Sequence, residues 1–167
     1  MKVTLRTALL AALAASGLMF LSAAQAKSDA AFMKDAAQAG DAEVQASRLA
    51  QTKARRADVK AFADTMVSDH TRLADELKTL AASKQVKLPA GASLMQKSKL
   101  KLIQAGDDAK FDERYVTSFG VQAHQDTIKL FEDAAQHAKD ADVKAFAQKA
   151  LPGLQHHLEM AQALAPK

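Results

Sequence analysis

Residues 58–80 read DVKAFADTMVSDHTRLADELKTL. Val59, Ala63, Met66, His70, Leu73, Leu77 and Leu80 recur at alternating steps of four and three. On an α-helix residues so spaced share one face, so the stretch carries a continuous apolar seam that other helices must cover. His70 sits in the middle of that seam. A titratable ring in an apolar row needs a polar partner, and the partner has to come from another helix.

Composition points the same way. The chain has 167 residues, enough for one domain with its own core; 49% of them are apolar and only 5% aromatic. Alanine, the strongest helix former, is abundant. There is no cysteine, which excludes disulfides, thiolate catalysis, thiolate zinc sites and a lipid-modified N-terminal cysteine.

The first 26 residues read as a leader rather than as fold. Lys2 and Arg6 give a basic start, Ala8–Ala24 carries no charge, and Ala24-Gln25-Ala26 is a small-x-small cleavage site before Lys27. An apolar run of about fifteen residues is short for a membrane span. Residues 1–26 are therefore expected to be a signal peptide and 27–167 the domain. The destination is the periplasm of a bacterium, with association at the outer membrane as an alternative. Loss of Lys2 and Arg6 lowers the basic count from 23 to 21 against 19 acids, so the net charge falls from +4 to +2 and nucleic acid is not an expected partner.

Four long helices and one short one are expected. Helix 1 spans about Asp29–Arg56, with Phe32, Ala36, Ala39, Glu43, Ala46 and Ala50 on its seam. A link of a few residues makes it an antiparallel neighbour of helix 2, for which Asp58 is the expected N-cap. Leu88-Pro89-Ala90-Gly91 stops helix 2, and a short amphipathic helix from Ser93 to Gln104 ends at Gly106. This connection reaches ~50 Å, against ~37 Å for a 25-residue helix. It can therefore cross the whole bundle and leave helix 3 parallel to helix 2. Helix 3, about Ala109–Lys139, places Val121, His124, Ile128, Phe131 and Ala135 on its seam, preceded by Phe111, Tyr115 and Phe119. After a second short break, helix 4, about Asp142–Leu164, carries Val143, Phe146, Ala150, Leu154, His157, Ala161 and Leu164. Pro152 lies inside it and is expected to kink it.

Asp58-Val59-Lys60-Ala61-Phe62-Ala63 returns as Asp142-Val143-Lys144-Ala145-Phe146-Ala147. Each copy opens the second helix of a hairpin. The fold class is thus all-α, a ferritin-like four-helix bundle of two antiparallel hairpins joined by a long crossover with one short extra helix.

Particular residues make the chain resemble a bacterial family. They are Gly40-Asp41-Ala42-Glu43, Val59-Lys60-Ala61-Phe62-Ala63 with Met66-Val67-Ser68-Asp69-His70-Thr71, and Leu88-Pro89. Phe111-Asp112-Glu113-Arg114-Tyr115-Val116, Ala123-His124, and Leu151-Pro152 with His157 complete the set. The chain resembles the domain-of-unknown-function family DUF 4142 over essentially all of the region after the leader. That resemblance implies a ferritin-like fold and export, often under an outer-membrane or exported-protein label, and it implies no activity.

Glu43, His70, His124 and His157 come one from each long helix, each on a seam. Such groups can converge on the bundle axis, and carboxylate with imidazole suits iron, manganese or zinc. Di-metal bundles take a Glu-x-x-His pair from each of two helices. Here Val67 and Leu154 occupy the positions three before His70 and His157, so that pattern is absent. With that pattern absent, the favoured reading is a metal-free polar layer in which these groups bond one another or water, and a single-metal site is the alternative. His137 and His156 fall off the seams. Lys84, Lys87, Lys97, Lys99 and Lys101 lie in a stretch without acids between Glu76 and Asp107. They suit contact with an anionic membrane surface, but a crossover helix that tucks its apolar side onto the bundle and leaves its lysines in water is the favoured reading, since packing already explains the amphipathic pattern. The sequence therefore favours a non-enzymatic envelope protein, monomer or homodimer, that binds a partner or acts under stress. Its rivals are a bundle binding Fe, Mn or Zn, with an oxidoreductase-like or metal-handling role, and surface association through the lysines.

Overall fold

The computed structural model describes residues 27–166, so the expected leader at 1–26 lies outside the described residues. Ser28 opens α1 (Asp29–Lys53) by accepting the Ala31 N–H at 3.2 Å. Three residues later α2 (Ala57–Ser83) begins, with Arg56 rather than Asp58 at the N-cap and no side-chain cap. Asp58 sits inside the first turn and pairs with Arg56 at 2.8 Å. The free N–H groups of the turn are taken from outside: Asp112 accepts those of Arg55 and Arg56 at 2.8–3.2 Å.

The crossover holds α3 (Leu94–Ala105), which opens on a capping box: Ser93 accepts Gln96 N–H, and Gln96 accepts Ser93 N–H at 2.8 Å. Asp41 fastens this crossover to α1 by accepting the Ala92 N–H at 2.8 Å. Gly91 takes φ +87°, which an L side chain rarely adopts, and its α-carbon faces that same Asp41 carboxylate. The expectation that α3 tucks its apolar side inward is corrected. Only Ile103 is buried, while Leu94, Met95 and Leu102 are 82%, 82% and 72% exposed.

After a 3₁₀ turn at Asp108–Lys110, the third long rod runs through three segments: α4 (Phe111–Tyr115), a π-helical stretch (Val116–Gln122) and α5 (Ala123–His137). Helical periodicity in the sequence carried no sign of the π stretch. Asp140 then caps α6 (Ala141–Leu164), a single helix that continues through Pro152.

Contacts between the ends give the topology. The start of α1 meets the α5–α6 link, where Asp29 accepts the N–H groups of Lys139 and Asp140 at 3.1 and 2.8 Å. Lys84, just past α2, pairs with Asp140 and Asp142 at the same end. At the opposite end the α1–α2 link meets Asp112 of α4, and Arg56 donates to Leu164 O of α6 at 3.0 Å. So α2 and the third rod run parallel, as the crossover length predicts, and each hairpin is antiparallel within itself.

The core divides in two. Val59, Phe62, Met66, Phe111, Tyr115 and Phe119 form one apolar cluster, toward the α1–α2 turn. Phe32, Met33, Leu77, Phe131, Phe146 and Leu154 form the other, toward the α5–α6 turn. Between them lie the buried polar side chains Glu43, His70, His124, Thr127 and His157, while Ser47 sits within the first cluster, bonded to the Tyr115 hydroxyl at 2.8 Å.

A buried layer of three histidines and a glutamate

Each seam delivers one residue to this layer, because each is an apolar stripe with a single polar member near mid-helix. Glu43, His70, His124 and His157 are 2%, 2%, 1% and 6% exposed. The structure brings all four together, though in two roles. One ring nitrogen from each histidine lies within 4.8 Å of those of the other two. Glu43 stands behind His70, its Oε2 2.9 Å from Nδ1, an approach too oblique to count as an aligned hydrogen bond.

The remaining ring nitrogens follow from donor bookkeeping. His124 Nδ1 lies 3.0 Å from Phe119 O in the π-helical stretch, and a carbonyl only accepts, so Nδ1 carries the proton. His157 Nε2 lies 3.1 Å from Asp69 Oδ2, so that nitrogen donates and Nδ1 keeps the lone pair, buried and unpartnered. His70 Nδ1 faces the Glu43 carboxylate. Each imidazole thus has one nitrogen turned to an acceptor. His70 Nε2 and His124 Nε2 then face each other at 3.3 Å, and two lone pairs at that distance repel unless a proton or a cation lies between them.

Electrostatics follow the same layout. Burial pushes the Glu43 carboxyl up, but its attraction to the neighbouring imidazoles, His70 foremost, outweighs burial and holds it at about 2. Burial pushes His70 down, and Glu43 overrides it and raises the ring above its ordinary value. His124 is lowered by burial, and His157 falls to about 4 through burial and the neighbouring His70. Glu43 is therefore the anion of the layer, and His124 and His157 are neutral rings with lone pairs to offer. Thr127 adds a donor to Glu43 Oε1 at 3.3 Å.

The layer is reached from two sides. A cleft of about 330 Å³ between α2 and α6 is floored by His70, Leu73, Leu154 and His157 and rimmed by Asp69, Arg72, Glu76 and Lys149. Gly153, where no neighbour approaches the position of a Cβ within 4 Å, lines the same cleft. On the opposite side a groove between α1 and α5 has Glu43 and Thr127 in its wall, with Met95, Gln96 and Lys99 from the crossover beside it.

Other positions differ from the sequence reading. Asp69 belongs to the layer through His157, across on α6. Adjacent residues on a helix point apart, so an Asp next to His70 gave no signal of a role toward a different helix. Thr127 lies three residues past His124 and shares its face, a signal present but mute in a polar residue. His137 and His156 are exposed. Lys84 is engaged by Asp140 and Asp142, and Lys99 lies 5.5 Å from the Phe119 ring centre. Lys87, Lys97 and Lys101 are exposed, without an ion-pair partner among the described residues.

A family model described as a domain of unknown function (DUF4142) matches residues 18–164. No curated protein matches the chain. The crystal structure of a conserved hypothetical protein, Rv2844, from Mycobacterium tuberculosis is similar in fold, with a TM-score of 0.64. It is 18% identical, and the match covers 81% of this chain and 89% of that one. At that identity the likeness bears on fold alone.

Proposed function

The chain belongs to the DUF4142 family, and from the premise of a family without an assigned activity we propose that it is an exported bundle protein holding one divalent first-row metal cation on His70, His124 and His157. The observation that carries this is the pairing of each ring's second nitrogen with an acceptor: Glu43, the Phe119 carbonyl and Asp69. Metal-bound histidines typically hold their other N–H in this way, which fixes the tautomer. The 3.3 Å between His70 Nε2 and His124 Nε2 also fits. Two imidazoles on one tetrahedral cation at ~2.0–2.1 Å stand ~3.3 Å apart. Zinc, iron(II) and manganese(II) all accept imidazole, and zinc binds most tightly of the three at a given site. Glu43 acts through His70 instead of as a fourth ligand, since its carboxylate is turned to Nδ1. The fourth position is left to a solvent molecule or small ligand entering by the α2–α6 cleft.

Stoichiometric metal in tag-free protein tests this. We expect about one equivalent of zinc to bind the chelator-treated protein and raise its melting temperature by several degrees, since a ligand of the native state alone stabilises it. His70→Ala should abolish both effects. A protein whose melting is indifferent to zinc, iron and manganese would favour the rival: a metal-free layer in which a proton on His70 bridges to His124. The Glu43 carboxylate 2.9 Å from His70 Nδ1, which raises that ring above its ordinary value against burial, speaks for the rival.

Export is supported by Lys2, Arg6, the uncharged run and Ala24-Gln25-Ala26, and a mature N-terminus at Lys27 in the periplasmic fraction would test it. Two hairpins with a crossover between parallel helices favour a ferritin-like arrangement, here without the di-metal ligand pattern.

A further inference from the structure

The large apolar side chains exposed among the described residues, Leu94, Met95 and Leu102, all lie on α3. At 100° per residue Leu94, Ser98, Lys101, Leu102 and Ala105 share the outward side, with Lys97 and Met95 flanking it. Ile103 and the half-buried Leu100 anchor the opposite side to the bundle. From Leu77 through Gly106 the sequence has no acidic residue. This face therefore presents leucine, methionine and lysine together, with no carboxylate of its own segment to neutralise it.

We propose that α3 is a docking surface for an anionic lipid bilayer, lying in the headgroup plane with Leu94, Met95 and Leu102 inserted and Lys97 and Lys101 on the phosphates. Charge complementarity and shape select this occupant. Lysines beside an apolar stripe bury their methylene stems and keep their ammonium groups at the phosphate level. A 12-residue helix ~18 Å long and ~10 Å across presents a convex face of roughly 180 Å², well under the ~800 Å² per partner of a stable protein interface, whereas a bilayer moulds to a single helix. Lys84 and Lys99 take no part, being held by Asp140, Asp142 and Phe119. This proposal stands on a different face and does not depend on metal in the buried layer.

Vesicle co-sedimentation tests it, on the chain as it accumulates in the producing cell with its N-terminus read by mass spectrometry. Vesicles of phosphatidylglycerol and phosphatidylethanolamine should pellet the protein, and vesicles of phosphatidylcholine should not. Binding should weaken about fivefold for each lysine lost in Lys97→Gln and Lys101→Gln, and fall steeply with added salt. Leu94→Ser with Met95→Ser and Leu102→Ser should abolish it. These positions face solvent, so circular dichroism melting should stay at the parent temperature, and it identifies any variant that fails to fold. The salt dependence of the parent protein reads the same interaction without substitution. Failure to pellet with anionic vesicles, or pelleting that the α3 substitutions and salt leave unchanged, overturns the proposal. Capture of an acidic protein without vesicle binding overturns it as well.

Discussion

Glu43 and Asp69 are acids with the same task toward different rings. Asp69 accepts from His157, and Glu43 lies 2.9 Å from His70 Nδ1 as its counter-charge; neither acid belongs to the cluster of converging ring nitrogens. Replacing Asp69 by Ala removes the acceptor of His157 and frees its ring to rotate. Loss of such a partner costs about 10–100-fold in metal affinity, so we expect zinc titration of Asp69→Ala to show that loss with the melting of the metal-free protein little changed. Glu43→Gln differs, because Gln keeps the shape and removes the charge that raises His70. Competitive titration against a chelator should show weaker metal binding there too, now with altered stability of the metal-free protein. The polar members of the layer were legible only in part. Glu43, His70, His124 and His157 announce themselves as polar residues in apolar rows. Asp69 and the Phe119 carbonyl do not, because their partners are fixed by helix rotation and winding, which no local spacing records.

The third rod shows most clearly how element and site depend on each other. Its π-helical stretch ends just before His124 and leaves Phe119 O within 3.0 Å of that ring. π-Helical segments frequently occur at functional sites. Gly120 lies in this stretch, where a Cβ would come to 2.9 Å of Ala161 Cβ on α6. That neighbour is rigidly attached to backbone, so Gly120→Ala must push the rod and α6 apart. Overpacking of this kind costs about 1–3 kcal/mol, read as a lowered urea midpoint. Ala161→Gly in the same chain should recover part of it. All five expected helices, the third long rod counted as one, could be placed from the period of their apolar residues and the breakers between them, to within about three residues at each end. The α3 face could not. Its pattern is amphipathic, but which side meets the bundle depends on how Asp41 and the Ser93 capping box set the helix down.

At the scale of the whole molecule, the hairpins are joined end to end by charge. Lys84 bridges from the close of α2 to Asp140 and Asp142 at the opening of α6. Asp140 and Lys84 are shifted in opposite directions by their shared bonds, Asp140 downward and Lys84 upward. A depressed carboxyl adds stability above its ordinary value near 3.8 that is lost as pH falls below it, and a raised amine adds stability below 10.5 that is lost as pH rises past it. Lys84→Met should therefore lower the urea midpoint between those limits and converge with the parent protein beyond them. The parallel course of α2 and the third rod was legible because the link is long enough to permit it and longer than an up-down bundle needs. The split of the core into two apolar halves about a polar waist was equally implicit once each seam carried one polar member at mid-height.

Asp29 closes the turn of the second hairpin, and Asp112 closes the turn of the first. Asp140 caps α6 from within its own turn, but each bend also takes a carboxylate from its sibling hairpin. Coexpressed pieces 27–90 and 91–167 should accordingly recognise each other and co-purify as a one-to-one pair, and Asp112→Ala should loosen that reunion. The intervening strap, itself pinned to α1 through Asp41 and Ile103, keeps close together two halves already shaped to shake hands.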